Sequence, residues 1–156
     1  MINVRTRKYK FFILDASRHS AMKAWNVASR HKTVPLPVDI YRNLIHTLPR
    51  HFDDFNILTV PAPSFHDYEN YPIWEVAKRV AGDLSLNLEK LFPNKSGKTH
   101  MQTFGSIEKQ VQKIEPLEPH TFVLILDDLY TTGHTLRVTA EAVILAGGFP
   151  CGIAIA

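Results

Sequence analysis

The sequence has a single cysteine among 156 residues, Cys151, which excludes an internal disulfide and leaves that residue as a small apolar side chain in a strand. Its eight histidines fall into no HExxH or cysteine–histidine pattern, so no zinc centre is expected. Long apolar runs are missing too. No stretch approaches the ~20 residues of a membrane-spanning helix. Met1-Ile2-Asn3-Val4-Arg5 lacks the apolar core of a secretion signal, so a cytoplasmic location without a membrane partner is expected. Gly97-Lys98-Thr99 invites reading as a triphosphate-binding loop but fails on spacing, because the position five residues before the Gly-Lys pair is Phe92 rather than glycine. The net charge is only +3. Basic clusters at Arg5-Thr6-Arg7-Lys8-Tyr9-Lys10 and Arg30-His31-Lys32 stand without the motifs of a nucleic-acid fold, which leaves a nucleic-acid partner open.

What the chain does have is an alternation of strand and helix patterns from residue 56 onward. Asn56-Ile57-Leu58-Thr59-Val60 is a short β-branched run stopped by Pro61, which has no ladder donor. Behind Pro72, the apolar residues Ile73, Val76, Ala77, Val80 and Leu84 recur at helical spacing and predict a helix over 72–84. Leu84, Leu86 and Leu88 alternate with polar residues and predict a second strand to about Leu91. Residues 93–106 are polar and glycine-containing and predict a mobile loop, with a short helix after it over 107–114. Phe122 to Leu126 is apolar throughout, as a strand buried on both faces must be. Leu136, Ala140, Val143 and Ile144 give a helical face ending at Gly147-Gly148, and Cys151 to Ala156 reads as a last strand.

Nearer the N-terminus, Tyr9 to Leu14 reads as a strand and Ala21 to Ser29 as a short helix. Beyond Pro35 and Pro37 a further helix carries Ile40, Leu44, Ile45 and Leu48. The expectation is one α/β domain with a mainly parallel sheet flanked by helices, made of an accessory segment over 1–55 and a core over 56–156.

The most informative stretch is Val123-Leu124-Ile125-Leu126-Asp127-Asp128-Leu129-Tyr130-Thr131-Thr132-Gly133-His134-Thr135. An apolar strand runs through two carboxylates into a hydroxyl-rich turn that opens a helix. Backbone amides at a helix start lack intrahelical partners, and the helix dipole adds positive potential there. With the hydroxyls of Thr131, Thr132 and Thr135 they form an anion cradle, which Gly133 lets a ligand approach closely. Asp127 and Asp128 are badly placed for a phosphate and well placed for ribose hydroxyls or magnesium, because an ionised carboxylate only accepts hydrogen bonds and hard cations prefer oxygen. Acceptors for hydroxyls beside donors for phosphate describe a ribose 5-phosphate.

This segment resembles the phosphoribosyl-diphosphate (PRPP) binding motif of type I phosphoribosyltransferases, closest in wording to the ComF-like branch but without that branch's N-terminal zinc ribbon. The resemblance spans residues 56–156 and is strong only in the motif itself. It implies the type I phosphoribosyltransferase fold with a hood-like N-terminal segment, Asp127 and Asp128 engaging the ribose directly or through Mg2+, and Thr131, Thr132, Gly133, His134 and Thr135 holding the 5-phosphate. His134, at the motif's variable position, is a candidate tuner of phosphate charge. The resemblance also puts a diphosphate loop at Ala62, Pro63 and Ser64, after the first core strand.

In ComF-like chains arginines and an Asn-Gln pair come after that loop, whereas here Phe65-His66-Asp67-Tyr68-Glu69-Asn70-Tyr71-Pro72 places acidic and aromatic groups. Lys95, Lys98 and Gln102, with His100, are the candidates for a flexible loop that folds over the diphosphate and excludes water. If catalytic, the protein would be a glycosyltransferase that moves a phosphoribosyl group from PRPP to a nitrogen acceptor with release of diphosphate, acting by positioning and electrostatics. A non-catalytic PRPP sensor or regulator, and a ComF-like module in DNA uptake or nucleic-acid metabolism, stay open beside it. So does a homodimer.

Overall fold

The structure, a computed structural model, describes residues 1–63, 67–93, 111 and 113–156. Five strands form one mixed sheet in the order β1-β2-β5-β4-β3. They are β1 (Ile2–Arg5), β2 (Lys10–Ile13), β3 (Ile57–Thr59), β4 (Phe122–Asp127) and β5 (Phe149–Ala154). β1 and β2 pair antiparallel as a hairpin, with Arg5 opposite Lys10, so the first basic cluster lies on its turn. The pairs β2–β5, β5–β4 and β4–β3 are all parallel. Two of the five strands thus come from residues 1–55.

Among the described residues four α-helices cover the sheet: α1 (His19–Ala28), α2 (Val38–His51), α3 (Pro72–Leu84) and α4 (His134–Leu145). Alternation along the strands decides what each face buries, because successive side chains point to opposite sides. Leu58, Leu124, Leu126 and Ile153 join Met22 and Trp25 of α1, Ile40, Leu44 and Leu48 of α2 and Ile73, Ala77 and Val80 of α3 in one core. Ile57, Val123, Ile125 and Ala154 join Leu136, Ala140 and Val143 of α4 in the other, with Phe11 and Phe92. Fully burying a side chain such as Leu124 contributes roughly 1.5–3 kcal/mol, and β4 carries four such residues in succession, Val123 to Leu126.

The helix predicted over 72–84 has those bounds, with Pro72 at its first position and Ser85 in left-handed geometry as its C-cap. The strand predicted from Leu84 to Leu91 is not formed as such. Leu84 belongs to α3, and beyond it a single parallel bridge joins Leu88 to Leu58, with Leu58 N–H donating to the Asn87 carbonyl (2.8 Å) and Glu89 N–H to the Leu58 carbonyl (3.0 Å). The alternation of leucines came from a helix end and an edge contact, two different environments in one period-two pattern. The last strand starts earlier than expected, at Phe149. All of the predicted loop over 93–106 except Pro93 lies outside the described residues, as does the predicted helix over 107–114 except Val111, Lys113 and Ile114, none of which is helical. No helix among the described residues is long and apolar enough to cross a membrane.

β3 and β4 are neighbours, yet the helix after β3 packs on one face and the helix after β4 on the other. Such a divergence opens a crevice beyond the carboxyl ends of the two strands, where open α/β sheets bind ligands.

Candidate functional site

Asp127 closes β4 at that crevice and Asp128 begins the loop beyond it. The loop is anchored by an extension of the β4–β5 ladder. Ile155 N–H donates to the Asp127 carbonyl (3.0 Å), Ala156 N–H to the Asp128 carbonyl (3.1 Å), and Tyr130 N–H to the Ala156 carbonyl (2.8 Å). Asp127 is buried, and its Oδ1 accepts the Asp128 amide at 2.9 Å. Burial, then the charge of Asp128 and a hydrogen bond with its side chain, hold the Asp127 carboxyl well above the usual carboxylate range. Asp128 is partly exposed. Its Oδ1 accepts the Leu129 amide at 2.8 Å, and its Oδ2 accepts a hydrogen bond from the Asn26 side chain of α1. Tyr71 stands at the N-cap of α3. Its phenol is pushed well above its ordinary value by burial first and then by Asp127 and Asp128.

The β3–β4 register ends with Thr59 opposite Ile125, two residues before Pro61 on one strand and two before Asp127 on the other. Pro61 and Pro63 are buried and Ala62 is partly buried; Ser64 lies outside the described residues. So do Lys95, Lys98, His100 and Gln102.

Thr131, Thr132, His134 and Thr135 are exposed, while Gly133 is buried at the N-cap of α4 with φ +75°. The left-handed conformation explains why glycine stands there. A second reason is local: a Cβ on Gly133 would meet the hydroxyl of Tyr130 and lie 2.7 Å from its Cζ. The close approach expected for a ligand is thus made by the Tyr130 ring. The cradle is also braced from within, since Thr132 Oγ1 accepts the His134 amide (3.3 Å) and its carbonyl accepts an Nη2–H of Arg137 (3.3 Å).

The structure therefore gathers Asp127, Asp128, Pro61, Ala62 and Pro63 at the ends of β3 and β4, and Thr131 to Thr135 on the turn into α4. Asn26 was not singled out in the sequence, since a lone asparagine in an amphipathic helix carries no motif. Tyr71 belongs to the acidic and aromatic stretch after the expected diphosphate loop, where sequence pattern alone assigned it no role beside the carboxylates. Among the described residues no group of three or more His, Cys, Asp or Glu gathers as a metal site. No protein-family model matches the chain, and no curated protein matches it.

Proposed function

We propose that this chain has a type I phosphoribosyltransferase-like fold and binds PRPP, or a related ribose 5-phosphate ligand, in the crevice between β3 and β4. One observation carries the reading. Two adjacent carboxylates at the end of a buried parallel strand lead into an exposed run of hydroxyls at a helix N-terminus, beside a neighbouring parallel strand that is followed by a proline-rich segment. Asp127 and Asp128 accept the ribose hydroxyls, and Thr131 to Thr135 take the 5-phosphate at the start of α4. The pair offers too few oxygens for an all-protein cage, which fits a magnesium ion that keeps its waters and shares the ligand's phosphates. Bound there, Mg2+ would neutralise charge on the diphosphate.

In the transferase reading a nitrogen lone pair of the acceptor forms a bond to the anomeric carbon as the bond from that carbon to the diphosphate oxygen breaks. The electron pair leaves with diphosphate, and the nitrogen's proton passes to solvent. The residues orient the sugar and supply no covalent nucleophile. A second reading, a PRPP sensor without turnover, is favoured by Asp67, Glu69 and Tyr71 standing where cations would serve a leaving diphosphate. Calorimetry with PRPP and magnesium, then diphosphate release over a panel of nucleobases, separates the two. Binding with turnover means transferase, binding alone means sensor, and no binding overturns the reading.

A further inference from the structure

Arg137 is the fourth residue of α4, and its side chain leans back toward the helix start, as helical side chains do. There its Nη2–H donates to the Thr132 carbonyl at 3.3 Å. The Thr132–Gly133 peptide is trans, and in a planar trans peptide the carbonyl and the N–H that follows it point opposite ways. Tying the Thr132 carbonyl to Arg137 therefore turns Gly133 N–H to the other side of the peptide, away from the guanidinium. That N–H has no hydrogen-bond partner among the described residues. It stands at the N-cap, where the positive end of the helix dipole gathers.

The protein alone does little to reward this arrangement. A cation beside a helix N-terminus works against the dipole, and the first turn of α4 carries no acidic residue to offset it. Arg137 forms no ion pair with a described residue. Its Nε is buried without a hydrogen-bond partner, one of only two such side-chain atoms among the described residues, and an unmet buried donor is unfavourable. Even the bond to Thr132 is long for an N–H···O contact. A guanidinium, a dipole and an open amide thus meet at one turn, and a bound anion would balance all three.

We propose that Arg137 is a positioning residue for the 5-phosphate: by holding the Thr132 carbonyl it keeps Gly133 N–H aimed at the phosphate, and its charge backs that amide from behind. The proposal rests on the ribose 5-phosphate reading and adds to Thr131–Thr135 a residue beyond them in the sequence. Glycine permits either peptide orientation. Released from Arg137, the Thr132–Gly133 peptide is free to rotate and to present its carbonyl, which repels phosphate, where the amide stood.

The test uses the full chain with ribose 5-phosphate and, separately, with inorganic phosphate. Arg137→Met keeps the length of the side chain and removes donor and charge, whereas Arg137→Lys keeps both. Calorimetry should show ribose 5-phosphate bound about tenfold more weakly by Arg137→Met, with most of the loss restored in Arg137→Lys. In proton–nitrogen correlation spectra the Gly133 amide should shift downfield when ribose 5-phosphate is added to the wild type, a readout that needs no variant, and shift little in Arg137→Met at saturating ligand. A residue needed only for folding would not single out that amide, and circular dichroism melts establish that both variants are folded. Wild-type affinity in Arg137→Met, no recovery in a folded Arg137→Lys, or a wild-type Gly133 amide indifferent to the ligand overturns the proposal. If ribose 5-phosphate binds all three chains equally, the ribose reading stands and the role of Arg137 falls. If inorganic phosphate binds with the Arg137 dependence and ribose 5-phosphate does not bind, the role of Arg137 stands and the ribose reading falls. If neither binds the wild type, both fall.

Discussion

Asn26 and Asp128 are 102 positions apart in sequence, and the side-chain amide of the first donates to Oδ2 of the second. With the Leu129 amide on Oδ1, both oxygens of Asp128 are held before any ligand arrives. Preorganisation of this kind lowers the cost of binding. Asn26→Ala is therefore expected to weaken ribose 5-phosphate about threefold to tenfold, or roughly 0.7–1.4 kcal/mol, less than the 1.5–3 kcal/mol of a hydrogen bond to a charged group because the change acts on the ligand only through Asp128, as read by calorimetry. A higher affinity in the variant would mean that Asn26 competes with the ligand for Oδ2.

Asp127 should trade stability for function. An unfolded aspartate titrates near pH 4, whereas burial and the Asp128 charge raise the folded value well above that. Between the two values the folded chain holds a proton that the unfolded chain has released, so this residue's contribution to stability falls as pH rises through that interval. Asp127→Asn mimics the protonated acid and removes the dependence. Urea unfolding should show the variant gaining on the wild type more at about pH 8 than at about pH 4. PRPP affinity should meanwhile drop at least tenfold, about 1.4 kcal/mol. An equal gain at both pH values would mean that Asp127 is ionised in the fold, and unchanged affinity would remove it from the ligand site.

Gly133→Ala meets two obstacles, a left-handed backbone and the Tyr130 ring. The first costs about 1–2 kcal/mol for any L-residue; the second is specific to Tyr130. The double variant Gly133→Ala, Tyr130→Ala should thus be less destabilised than the sum of the two single changes, a coupling that thermal melts can measure. Strict additivity would show that the ring moves aside freely, leaving the glycine's surroundings open to a phosphate.

Ser85 ends α3 at φ 54°, exposed, with the Leu86 amide bonded back to the Ala81 carbonyl at 2.9 Å. Glycine fits that geometry without the Cβ penalty, so Ser85→Gly should stabilise the protein by about 0.5–1 kcal/mol after its greater unfolded-state entropy is subtracted. A loss of stability on chemical unfolding would contradict the left-handed cap.

Periodicity made β4 and α3 legible, because each is settled locally. Four apolar residues in succession need burial on both faces, and a proline ahead of helically spaced apolar residues marks a start. Leu84, Leu86 and Leu88 misled for the same reason, since a helix end and an edge bridge together imitated a strand. The Asp127–Gly133 stretch was visible as a motif. What it touches was not: Asn26 reaches Asp128 only through tertiary packing. Nor does local pattern say that β2 pairs with β5, a relation between residues about 140 positions apart.

That last pairing bears on how the chain can be made. β5 is the latest of the five strands in sequence and sits between β2 and β4, joined to both. As the polypeptide emerges from the ribosome, β2 and β4 each present a bare edge toward a vacant central slot until Phe149–Ala154 arrives. Exposed edges recruit stray strands. The nascent chain should consequently depend on chaperone shielding until β5 has been made, then complete its sheet, and with it the floor beneath Asp127, in one closing insertion.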